Sequence, residues 1–71
     1  MAQMPRKLRQ LRADLKAAGA FIKTQEGSHQ KWAHPQTSAI MILVGKDGKD
    51  AQNYQEKDLE IFIQAIKEKK R

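Results

Sequence analysis

Between Gly19 and Gly45 the chain has no segment long enough to change direction slowly. Three stretches with strand character, 20–25, 29–34 and 39–44, are separated only by Gly27-Ser28 and by Pro35-Gln36-Thr37-Ser38. Glycine, proline and small polar residues mark turns because they supply unusual φ values or local hydrogen bonds. Parallel strands need a crossover of about a dozen residues or more, so connections this short predict an antiparallel meander. Stretch 20–25 (Ala20-Phe21-Ile22-Lys23-Thr24-Gln25) is rich in aromatic and β-branched types, and 39–44 (Ala39 to Val44) is the strongest strand of the three. Stretch 29–34 is weaker and is stopped by Pro35.

Both flanks carry helical periodicity. In residues 5–18, Leu8, Leu11, Leu15 and Ala18 recur at intervals of three and four and line one face. Pro5 suits the first helical position, and Gly19 stands where a left-handed residue ends a helix. Arg9, Arg12 and Lys16 fall on the opposite, solvated side. After the polar loop 45–52, Asn53-x-x-Glu56 fits a capping box, and Leu59, Phe62, Ile63 and Ile66 form the stripe of a second helix. Lys67, Lys69, Lys70 and Arg71 suit its negative C-terminal end. The expected architecture is α+β, in the order α-β-β-β-α, with two helices on one face of a three-stranded antiparallel sheet and the other face open.

With 71 residues, the chain has room for one small domain, residues 1–71, and for no large cofactor cavity. It has no cysteine, which removes disulfides, thiolate metal sites and thiol catalysis together. Stability must come from the core or from a partner, and the oligomeric state is left open. Fourteen Lys and Arg residues against eight Asp and Glu give a net charge of +6, which favours polyanions and nucleic acid first among them. The longest apolar run, Ala39 to Val44, is six residues, far below the ~20 needed to span a bilayer. No apolar leader follows the charged start, so a cytoplasmic location without membrane attachment is expected.

Most chemistry is excluded by residue type and spacing. Gly45 and Gly48 do not make a phosphate-cradling loop. His29 and His34 are five apart, which on a strand sends them to opposite faces, so they cannot share a metal. What remains is Gly27-Ser28-His29 at a turn-to-strand junction, beside Lys31 and Trp32. A single imidazole suffices for one reaction class. When RNA is cleaved through its own 2′-hydroxyl the substrate supplies the nucleophile, and the protein supplies proton transfer and phosphate binding. A lone histidine without any role is the competing reading of the same residue.

Gly27-Ser28-His29 opening the second strand, Lys31-Trp32-Ala33-His34-Pro35 after it, and Gly19-Ala20-Phe21 entering the first strand resemble the HicA toxin family over about Leu8 to Ile66. The resemblance implies a fold like that of double-stranded-RNA-binding domains. It also implies metal-independent endoribonuclease activity on mRNA, with the motif histidine, here His29, as the catalytic residue. No cofactor is implied, and the expected partners are mRNA and a HicB-type antitoxin. The chain departs from the family after the third strand, where a second histidine is common and Gly45-Lys46-Asp47-Gly48 stands here, and at Asn53-Tyr54-Gln55-Glu56 before the second helix.

Three functions stay open on the sequence: a HicA-like endoribonuclease, a catalytically silent RNA-binding module, and a protein-interaction domain. For the first, RNA contacts are expected from Arg9, Arg12 and Lys16, with Lys23, Ser28 and Lys31 nearer the cleavage point. His29 is expected to be exposed and Trp32 buried, three apart on an alternating strand. Ile61 lies nearly opposite Leu59, Ile63 and Ile66 on the second helix and is left out of the core.

Overall fold

The computed structural model describes residues 6–69, in the order α1 (Leu8–Ala17), β1 (Phe21–Glu26), β2 (His29–His34), β3 (Thr37–Val44) and α2 (Asn53–Lys69). Pro5, Lys70 and Arg71 lie outside the described residues. The three strands form one antiparallel sheet, ordered β1-β2-β3, and both hairpins turn through two residues, Gly27-Ser28 and Pro35-Gln36. Thr37 and Ser38, expected in the second turn, belong to β3 instead. Thr37 pairs with His34, and its hydroxyl accepts the Ala39 N–H at 3.2 Å.

One face of the sheet meets the helices. The core joins Leu8, Leu11 and Leu15 of α1, Trp32 of β2, Met41 and Leu43 of β3, and Leu59, Phe62 and Ile66 of α2. Ile63 packs partly against this cluster, as its place on the stripe requires, and Ile61 is 62% exposed. The strands alternate accordingly: Gln30 and Trp32 are buried while His29 and Lys31 are exposed. Along β3, Met41 and Leu43 are buried between exposed Ile40 and Ile42. Strand β1 departs from this alternation, and all six of its residues are exposed. It is an edge strand, and α2 packs chiefly on β3 at the far edge.

The loop after β3 caps α1. Leu8 N–H donates to the Lys49 carbonyl (2.8 Å) and Arg9 N–H to the Asp47 carbonyl (3.2 Å), so two of the helix's free N-terminal donors are satisfied by residues remote in sequence. The Ala51 N–H returns a bond to the Arg6 carbonyl at 2.7 Å. Gly45 makes the approach possible. Its φ is +128°, and a Cβ there would stand 2.5 Å from Leu8 Cδ1. The cap of α2 lies one residue earlier than the spacing predicts. Gln52, not Asn53, supplies the first accepting carbonyl, to Gln55 and Glu56, and the Gln55 side chain reaches back to the Gln52 N–H at 2.8 Å. Gln55 also donates to the Val44 carbonyl at 3.0 Å, which fixes the shift by tying the first turn of α2 to the end of β3. Glu56 is drawn to Arg6 instead.

Candidate active site

The β1–β2 turn sets the position of His29. Gly27 takes φ +58°, and the two-residue turn places Glu26 directly opposite His29, with Val44 opposite it on β3. Cross-strand partners share a face, so the open face carries ordered rows. The first row is Glu26–His29–Val44 and the second is Thr24–Lys31–Ile42. Thr24, Glu26, His29, Lys31 and Ile42, together with Gln30, line a shallow depression of about 410 Å³. Trp32 is 1% exposed on the other face, where its indole N–H donates to Gln30 Oε1 at 3.2 Å.

The basic residues named from sequence divide between two faces. Lys31 is exposed beside His29 on the open face, and Lys23 stands level with it, in the register shift between Ile22 and Thr24. Ser28 is exposed at the hairpin tip, and its carbonyl accepts the Gly45 N–H at 3.3 Å. Lys16 and Arg12 belong to the helix side, on an open groove of about 720 Å³ that runs past Ser28 to Lys46 and has Ile22 and Trp32 in its lining. Arg9 is exposed on α1.

Arg12 departs from the solvated stripe expected of it. Its side chain is only 12% exposed. Its Nε donates to Gln30 Oε1 at 2.8 Å, one terminal nitrogen to Asp47 and the other to the Gly45 carbonyl. The guanidinium therefore holds α1, β2 and the β3–α2 loop together, and a phosphate could engage it only by displacing those partners. Asp47 and Gly45 are remote in sequence, which is why the helical wheel gives no sign of this.

His34 has a different role from His29. It is 8% exposed, its Nε2 lies 2.8 Å from the Ala18 carbonyl, and its Nδ1 accepts the Gln36 N–H at 3.0 Å. Those partners assign the neutral ring with the proton on Nε2. Gly19, at φ +90°, lets the ring approach, since a Cβ there would lie 3.1 Å from Nε2. His34 thus fastens the end of α1 to the end of β2 and faces away from His29.

The charge distribution favours the open face for an anion. From Leu15 to Lys46 the only acidic residue is Glu26, against Lys16, Lys23, Lys31 and Lys46. Around the start of α1 Arg6 pairs with Asp14 and Glu56 and Lys7 with Asp50, while Arg12 pairs with Asp47 in the groove at the hairpin end. The hydrogen bond to Asp14 is the main cause holding the Arg6 guanidinium above its usual pKa, with Glu56 adding to it. Among the described residues Lys16, Lys23 and Lys31 make no ion pair.

Sequence reasoning missed Glu26 as a neighbour of His29. The signal was present, because a two-residue turn pairs the residues that flank it. Glu26 shares the depression with His29, but no hydrogen bond joins the two side chains. Among the described residues no helix is long and apolar enough to cross a membrane, and no group of three or more His, Cys, Asp or Glu side chains converges as metal ligands would. Neither protein-family models, nor curated proteins, nor solved structures yield a match to this chain.

Proposed function

We propose that this chain is a HicA-like endoribonuclease that cleaves mRNA through the substrate's own 2′-hydroxyl, with His29 as the proton acceptor. The observation that carries the reading is the exposed imidazole of His29 on the uncovered sheet face, in a depression shared with Lys31. In the proposed step His29 takes the 2′-hydroxyl proton and the 2′-oxygen forms a bond to phosphorus. The bond to the 5′-oxygen breaks, and that oxygen takes a proton from the Lys31 ammonium or from water. The products are a 2′,3′-cyclic phosphate and a 5′-hydroxyl. Lys31 and Lys23 hold the phosphate. The same reading supplies a HicB-type antitoxin as the protein partner and the cytoplasm as the place of action.

The test is the chemistry of the cut ends. Purified protein is incubated with a labelled single-stranded RNA, and the products are resolved before and after removal of cyclic phosphates. Cyclic phosphate and 5′-hydroxyl ends support the reading. Ends carrying 3′-hydroxyl and 5′-phosphate would overturn it, since those require attack by water from the opposite side. An intact RNA that the protein nonetheless binds would favour the silent RNA-binding module.

A further inference from the structure

We infer that the open sheet face carries a stacking platform for an unpaired nucleobase, centred on Phe21, one row beyond Lys31, so that the substrate is single-stranded RNA. The inference rests on the endoribonuclease reading above. Phe21 pairs with Ala33, whereas the next pair, Ile22 and Trp32, faces the helices. Phe21 and Ala33 therefore face outward with Lys31 and His29. Ile40, one residue from core-facing Met41, faces outward from β3. Phe21 is 48% exposed and Ile40 44%, while Ala33 between the strands' larger side chains is 8% exposed. The larger side chains thus close over Ala33 and form a shallow apolar patch, in which the half-exposed Phe21 ring offers a π-face.

The order of rows fits a nucleotide chain. Same-face residues recur about every 6.6 Å along a strand, comparable with one extended nucleotide. His29, Lys31 and Ala33 are successive outward positions of β2. A phosphate held at Lys31 and Lys23 would lie between the imidazole on one side and the apolar patch on the other. Lys23 and Lys31 beside the patch, against Glu26 as the one carboxylate in the sheet, favour a polyanion over an apolar peptide as its occupant. The exposed Ile61 on α2 makes the contrast, because the shallow hollow around it is lined by the carboxylates of Glu60 and Glu68 and by no cation. In a duplex each base is already stacked and cannot reach such a platform, whereas aromatic side chains stack bases of single strands without strong sequence preference.

The test separates binding from cleavage by working in the His29→Ala background. Affinity is measured by fluorescence anisotropy for a labelled single-stranded oligoribonucleotide and for the same strand annealed to its complement. Phe21→Ala should weaken single-strand binding by about 5- to 150-fold, the range for loss of one stacked base. Phe21→Trp should restore it, Ile61→Ser should leave it unchanged, and duplex affinity should not respond to Phe21. Circular dichroism checks that each variant is folded. Single-strand affinity that is indifferent to Phe21→Ala in a folded variant overturns the platform, as does equal loss for duplex and single strand. With His29 intact, cleavage at an unchanged KM in Phe21→Ala would sink the platform alone. Failure of the wild-type protein to cleave while stacking holds would sink only the endoribonuclease reading.

Discussion

Replacing Arg12 by methionine keeps most of the aliphatic stem and removes every donor of the guanidinium. The three partners respond differently. Asp47 is 69% exposed and returns to water, so that ion pair contributes at most about 1 kcal/mol. Gln30 Oε1 keeps the Trp32 indole N–H and loses one bond of two, about 0.5–1 kcal/mol. The partly buried Gly45 carbonyl loses a charge-assisted bond, about 1.5–3 kcal/mol. The expected loss is therefore about 2–5 kcal/mol, against a total of roughly 4–11 kcal/mol for a chain of this length. In urea unfolding with a slope of about 1 kcal/mol/M, the midpoint should fall by about 2 M or more. Arg9→Met, at an exposed position of the same helix, should stay within about 0.5 kcal/mol of wild type. Arg12→Lys should recover little, because one ammonium cannot reproduce a three-way fork. Equal midpoints for Arg12→Met and Arg9→Met would refute the latch and return Arg12 to the solvated stripe.

Gly45→Ala should destabilise the fold by at least about 1–3 kcal/mol from its positive φ alone, with the Leu8 contact adding to it; a calorimetric midpoint equal to wild type would contradict this. His34→Ala should lose about 2–3 kcal/mol by orphaning the Ala18 carbonyl and emptying a buried site, yet retain cleavage at temperatures where it is folded, as a thermal melt paired with an activity assay can establish. RNA affinity should fall with salt, by a slope of about −0.7 per neutralised phosphate on a single strand. Lys23→Ala and Lys31→Ala should each flatten that slope by roughly one such step, and an affinity indifferent to salt would contradict the basic-face assignment. Cleavage should slow on acidification, since a protonated imidazole cannot accept the 2′-hydroxyl proton. A rate that is flat or rising towards low pH would remove His29 from the role of base.

The parts of this fold that depend on neighbouring residues were legible in the sequence. Two short turns required an antiparallel meander, and the spacing of Leu8, Leu11 and Leu15 marked the buried face of α1. Alternation placed His29 and Trp32 on opposite sides. The parts that depend on distant residues were not legible. Nothing near Arg12 shows that Asp47 and Gly45 will close around it, and nothing near Asn53 shows that Gln55 will bind the end of β3 and move the cap to Gln52. The exposure of β1 has the same origin. Phe21 and Ile22 give it strand character, but its exposure follows from its position at the edge away from α2, which lies on β3. At the site, the turn-determined neighbours of His29 followed from local rules. The division of the basic residues between the two faces required the assembled sheet.

The central claim is that one exposed imidazole on the open sheet face performs the reaction. The most direct measurement is the single-turnover cleavage rate of a labelled single-stranded RNA, in excess chelator, by wild type, His29→Ala and His34→Ala. Wild type and folded His34→Ala should cleave, and His29→Ala should be slower by about 10²–10⁴-fold while binding the RNA with little change. Cleavage by His29→Ala at the wild-type rate would contradict the account. So would wild-type activity that disappears in chelator and returns with Mg²⁺.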